Sequence, residues 1–275
     1  MFYYKVVKFS KRILGGINLY KDSINQISET ALKKVSFAKS NLLGYIISSM
    51  LAGIFVGIGI ILTFSIAAPF SKENLPVIKS LMGASFGVAL TIVIFAGSEL
   101  FTGNNLVMTI GYLNKKSSIY DLLKIWTLSY IGNLLGSIFL AYLFVNTGLV
   151  ISPLSDFILK ISSSKMSAPF IYLFVRGILC NMLVCLAVWM TSRTKDDTAK
   201  IMLIWWALFA FVGSGFEHSV ANMTLLSTAL MIPHDPNLIS LSGFINNLVP
   251  VTLGNIVGGA VIVGVSYYII SLKEK

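Results

Sequence analysis

"GFEHSVANM", residues 215–223, sets a glutamate beside a histidine within a long apolar run, 201–232, whose only ionisable side chains are Glu217 and His218. A charge in such a stretch is costly unless it is paired or faces a polar cavity. A second stretch, "GSELFTGNN" at 97–105, repeats the pattern Gly-x-Glu-x-x-x-x-Asn. Two more pairs follow at nearly the same offset: "GNLLG" (132–136) with "GNIVG" (254–258), and "AGIFVG" (52–57) with "RGILCN" (176–181). The offsets are 118, 122 and 124 residues. Three matches in one order describe a duplicated three-helix unit, and an odd number of crossings per unit inserts the second copy upside down. The Gly-Asn-x-x-Gly copies also supply the small-xxx-small spacing that lets helices approach closely.

The rest of the chain agrees with a membrane location. Hydrophobic residues make up 56% and charged residues 12%, and the charges fall between apolar blocks at 41–68, 81–113, 120–147, 167–192, 201–232 and 242–270. Each block exceeds the roughly 20 residues needed to cross a bilayer as a helix, and no β-barrel alternation is present. The expected architecture is an all-α membrane protein of six transmembrane helices. Its parts are an N-terminal segment (1–40), a six-helix domain (41–270) and a short tail (271–275).

Net charge +10 could suggest a nucleic-acid partner, but its distribution points to topology instead. Lys5, Lys8, Lys11, Arg12, Lys21, Lys33, Lys34 and Lys39 precede the first block. Lys115, Lys116, Lys124, Arg193, Lys195, Lys200, Lys273 and Lys275 occupy the same side, leaving Lys72, Lys79, Lys160, Lys165 and Arg176 on the other. Sixteen against five is a positive-inside asymmetry that puts both termini in the cytoplasm. Lys5 to Arg12 interrupt any signal-peptide core. Residues 20–39 gather Ile24, Ile27, Ala31, Leu32 and Val35 on one helical face. That is read as a cytoplasmic amphipathic interfacial helix lying on an anionic leaflet, with packing against the protein as the alternative. Cys180 and Cys185 fall on different faces of one crossing and suit neither a disulfide nor a metal pair.

Blocks two and five are too long for plain crossings. A 32-residue helix would span about 48 Å against a core of about 30 Å. The Gly-x-Glu-x4-Asn motifs fall near the middle of each. The expected reading is helix, loop and half-helix, with restarts near 105 and 222 and with Thr102, Asn104 and Asn222 available as caps. The two breaks approach the centre from opposite faces, each half-helix turning its N-terminus inward. Such termini favour anions, so the sequence describes a central site for a small anion. Glu99 and Glu217 are read as carboxylates that accept the loops' own N–H groups and brace the breaks.

"FAGSELFTGNN", "RGILCNMLVCLAVWM", "GFEHSVANM" and "NLVPVTLGNIVGG" resemble the formate–nitrite transporter family over residues 20–270. The resemblance implies a homopentamer in a bacterial inner membrane, each protomer with an aquaporin-like six-helix fold and its own pore for formate, nitrite or hydrosulfide. It makes His218 the central histidine, Thr102 the threonine of the first loop, Asn181 the pore asparagine and Lys165, in the loop "SSSKMSAPF", the vestibule lysine. It places Phe86, Leu90 and Phe211 at one narrowing and Leu100 with Phe101 at the other. Residue spacing agrees in part, since Phe86 and Leu90 are i,i+4 on one helical face.

A bare anion in an apolar slit is heavily penalised, whereas a neutral acid passes far more cheaply. Lys165 and the half-helix termini would attract the anion, and protonation, direct or relayed through His218, would carry it across the Phe/Leu narrowing. An enzyme is disfavoured: a single intramembrane histidine excludes bis-histidine haem within one chain. No His-Glu-x-x-His motif occurs, and no serine-hydrolase elbow is expected. No cofactor and no metal is expected. A neutral-solute channel of aquaporin type is the alternative, though paired Asn-Pro-Ala caps are missing.

Overall fold

A computed structural model describes residues 20–272 apart from residue 74, and all of Lys72 but its side chain. The expectations for residues 1–19 and 273–275, including Lys5, Lys8, Lys11, Arg12, Lys273 and Lys275, lie outside the described residues. Helix α1 (Lys21–Ser40) leads into α2 (Leu42–Ala67), α3 (Ile78–Ala96), α4 (Phe101–Leu113) and α5 (Ile119–Val145). A second series follows: α6 (Leu154–Met166), α7 (Phe170–Thr191), α8 (Asp197–Gly213), α9 (Ser219–Met231) and α10 (Leu241–Ile256). The last helix continues through a π-helical stretch, Val257–Val265, into α11 (Ser266–Leu272).

Polar side chains fix where several helices start. Asn41 accepts the Gly44 N–H at the head of α2, and Asp196 and Ser240 do the same for α8 and α10. Ser118 and Asp121 form a reciprocal capping box on α5. Each of these side chains satisfies an amide that the helix itself leaves unpaired.

Five segments are long and apolar enough to cross a membrane: Leu42–Ser71, Ile78–Ala96, Ile119–Val145, Phe170–Thr191 and Leu241–Leu272. Helices α8 and α9, of 17 and 13 residues, are each too short to span alone. The two series pack alike, α2 against α5 and α7 against α10, with α3 against α8 between them. Glycines make these approaches possible. A Cβ on Gly136 would meet the Met50 carbonyl, and one on Gly258 would meet the Ile178 carbonyl. These are the last glycines of the two Gly-Asn-x-x-Gly motifs.

Two expectations are corrected here. The apolar face of α1 is committed to protein, with Ile24, Ile27, Ala31 and Val35 buried and only Leu32 exposed. The leaflet reading therefore gives way to its alternative, packing against the protein. The segment around "SSSKM" is no loop but the end of helix α6. Its apolar residues Leu154, Phe157 and Ile158 are buried, so α6 stands before α7 as α1 stands before α2.

Candidate functional site

Both predicted breaks are present. Helix α3 ends at Ala96, and Gly97 follows in the left-handed region at φ 75°; α8 ends at Gly213, and Gly215 adopts φ 76°. These glycines occupy one position of the repeat, and left-handed backbone is costly for any residue with a Cβ. The half-helices restart at Phe101 and Ser219, earlier than the expected 105 and 222. Thr102, Asn104 and Asn222 consequently lie inside α4 and α9 and cap neither. The residues at the cap positions are Leu100 and His218.

What holds the breaks is a pair of carboxamides. Asn133 Oδ1 accepts the Phe101 N–H at 2.9 Å, while its Nδ2 donates to the carbonyls of Ser49 (2.7 Å) and Glu99 (2.9 Å). Asn255 repeats this, accepting from Ser219 N–H at 2.9 Å and donating to Gly177 (2.8 Å) and Glu217 (3.0 Å) carbonyls. A carboxamide offers an acceptor and two donors together, which is what a half-helix start and two loose carbonyls require. The sequence reading missed these roles. The signal was the asparagine repeated within both Gly-Asn-x-x-Gly motifs, read only as close-packing spacing.

The carboxylates differ from expectation, since they take side chains and not loop amides. Glu99 receives Lys34 Nζ at 2.7 Å on both oxygens, the Tyr45 hydroxyl at 3.0 Å and Asn104 Nδ2 at 3.2 Å. Glu217 receives Lys165 Nζ at 2.7 Å and Asn222 Nδ2 at 2.6 Å. Lys34 stands on α1 and Lys165 on α6, so each preceding amphipathic helix sends a lysine to the glutamate of its own break. A buried carboxylate is tolerable only when paired and hydrogen-bonded in this way.

The two cap residues, Leu100 and His218, line the same small chamber. Phe86, Leu90 and Phe211 line it as well, joined by Val56, Ala89, Val184 and Leu208, which the sequence reading did not single out. Its volume, about 10 Å³, is scarcely room for one water. Phe86 and Phe211 meet edge to face at 5.6 Å, and Phe211 stacks on His218 at 5.9 Å. All three also border a vestibule of about 760 Å³, so the aromatic pair lies between vestibule and chamber. Thr102, Gly103 and Val220 lie in the first turns of α4 and α9, where a helix provides no acceptor of its own for the amides.

His218 Nδ1 accepts the Ala221 N–H at 3.1 Å. The neutral ring therefore carries its proton on Nε2, which meets Thr102 Oγ1 at 2.9 Å. Asn181 is not among the chamber walls. Fully buried, it donates to the Thr102 carbonyl (3.2 Å), Asn105 Oδ1 (3.0 Å) and the Asn255 carbonyl (2.7 Å), tying the two breaks together. Phe101 is also away from the chamber and packs edge to face on Tyr130 at 5.0 Å. A Gly-x-Ser-x-Gly spelling does occur at 83–87, against expectation. Ser85 nonetheless lies inside regular helix α3 with its hydroxyl on the Leu81 carbonyl at 2.9 Å, not on the exposed strand-to-helix turn that a nucleophile needs.

Residues 21–269 match the family described as "Formate/nitrite transporter". The chain is 41% identical over 258 residues to a nitrite transporter, NirC, of Salmonella typhimurium, covering 94% of each. Among solved structures it is similar to an FNT family ion channel (41% identity, TM-score 0.85, 91% of this chain and 99% of that one). It is also similar to a pentameric formate channel with formate bound (34% identity, TM-score 0.76, 86% and 100% of the two chains). The chain therefore belongs to the formate/nitrite transporter family.

Proposed function

We propose that the protein passes small monovalent anions of weak acids, nitrite and formate foremost and hydrosulfide with them, through a pore within each protomer. The observation that carries this reading is the apolar chamber of about 10 Å³ between His218 and the Phe86–Phe211 pair, opening onto a far larger vestibule. A hydrated ion does not fit such a chamber, and stripping its water costs too much to be useful. A singly protonated nitrite, formate or hydrosulfide is neutral and does fit this logic. Both His218 nitrogens are engaged in the neutral ring, so the proton joins the anion from vestibule water. With the His218 Nε2–H given to Thr102 Oγ1, the Thr102 hydroxyl proton and the half-helix starts then supply polar contacts at the centre.

The protein works as a transporter or channel and not as an enzyme. It assembles as a homopentamer, a reading supported by its likeness to the pentameric formate channel. It resides in a bacterial cytoplasmic membrane as an inverted repeat of six crossings, both termini inside. The charge asymmetry supports that orientation. Purified protein in liposomes should carry nitrite, formate and hydrosulfide and exclude sulfate, which one proton cannot neutralise. Sulfate flux comparable to nitrite flux would refute the reading. So would glycerol flux without anion flux, which would favour a neutral-solute channel.

A further inference from the structure

Among the described residues the vestibule is lined by three cations, Lys79, Lys165 and Arg176, and by one carboxylate, Glu217. Lys165 is bound to that carboxylate at 2.7 Å, with only 20% of its side chain exposed. The pair is close to neutral toward an approaching ion. Arg176 and Lys79 are exposed and, among the described residues, neither has a side-chain partner. Among the described residues, the vestibule's excess positive charge therefore belongs to these two.

Arg176 stands seven residues into α7, about 9 Å along a membrane helix. An unpaired guanidinium at that depth is tolerated where it meets water, not lipid, and the vestibule provides the water. The fold does not require the charge. The Arg176 carbonyl accepts the Glu217 N–H at 3.3 Å, and in the first half the Ser48 carbonyl gives the same service to Glu99 N–H at 3.3 Å. The residue in the place of Arg176 in the first half is therefore Ser48, which is neutral, and not Ala52 as the aligned "AGIFVG" and "RGILCN" motifs would have it. One mouth thus carries a surplus cation beside its break where the other has a neutral residue.

Resting on the reading of this chain as an anion pathway, we propose that Arg176, and not Lys165, captures the anion in the vestibule and favours planar two-oxygen anions over hydrosulfide. A guanidinium presents a flat fork of donors that matches two oxygens at once, whereas an ammonium acts as a point charge. Nitrite and formate offer two oxygens. Hydrosulfide offers a single sulfur and gains only the charge attraction.

The test is the concentration dependence of nitrite, formate and hydrosulfide influx into liposomes for the full chain and for Arg176→Gln, Arg176→Lys and Lys79→Gln. In Arg176→Gln the half-saturating concentration should rise roughly five-fold for nitrite and formate and less than about two-fold for hydrosulfide. Arg176→Lys should restore hydrosulfide fully and the two-oxygen anions only in part. Lys79→Gln should shift all three by the same small factor. Wild-type flux with nitrite half-saturation unchanged in Arg176→Gln overturns the inference and leaves the transport reading standing. Equal shifts for all three anions overturn the planar preference. A wild type that carries none of them overturns the transport reading itself. Hydrosulfide flux retained by Arg176→Gln shows that the variant is folded.

Discussion

His218 shows how one residue can cap a helix and line a chamber together. Its Nδ1 caps α9 through the Ala221 N–H, and its ring forms part of the chamber wall. Asparagine also caps helices well, and loss of a cap costs about 1 kcal/mol. His218→Asn should accordingly keep wild-type thermal stability, whereas His218→Ala should lose about 1 kcal/mol. Nitrite flux in His218→Asn should keep its dependence on pH, because the proton arrives with the anion; a flattened pH profile would return the relay to the imidazole. Asn255 is a purely structural counterpart. Removing its side chain strips three hydrogen bonds from a fully buried break, so Asn255→Ala should destabilise by roughly 3 kcal/mol. Asn133→Ala should do the same at the first break, and thermal unfolding of the purified protein measures both.

At the scale of elements, glycines separate two kinds of constraint. Gly215 is left-handed, yet a Cβ there would meet nothing within 4 Å, so the cost of Gly215→Ala is conformational, about 1 kcal/mol. Gly258 is helical, and its Cβ would strike the Ile178 carbonyl on α7. Gly258→Ala must push two helix backbones apart, costing about 3 kcal/mol or more. Thermal midpoints should therefore fall further for Gly258→Ala than for Gly215→Ala, and the reverse order would undo this account of α7 against α10. The same scale explains why α6 escaped the sequence reading. Ser162, Ser163, Ser164 and Lys165 look like loop residues, but Ser162 is fully buried and Lys165 reaches the second break from the final turn. Tertiary contact outweighs local composition in such a short amphipathic segment.

For the whole molecule, the sixteen-to-five division of Lys and Arg predicts cytoplasmic termini. A cysteine placed at Thr194 should be labelled only from the cytoplasmic side and one at Ser155 only from outside; the opposite pattern would reverse the topology. Helical membrane character and two broken helices were legible in the chain itself. Apolar length, repeated Gly-x-Glu-x4-Asn motifs and lone intramembrane charges are local properties that a one-dimensional reading can register. The partners of those charges were not legible. Lys34 and Glu99 are 65 residues apart, Lys165 and Glu217 are 52, and Thr102 and His218 are 116. Only the folded chain decides which lysine neutralises which glutamate, and hence which cation remains free at the vestibule. For the same reason the partners of Asn181 and the packing of Phe101 on Tyr130 come only from the fold: the sequence determines that a side chain is apolar or polar, while its direction depends on the helices that surround it.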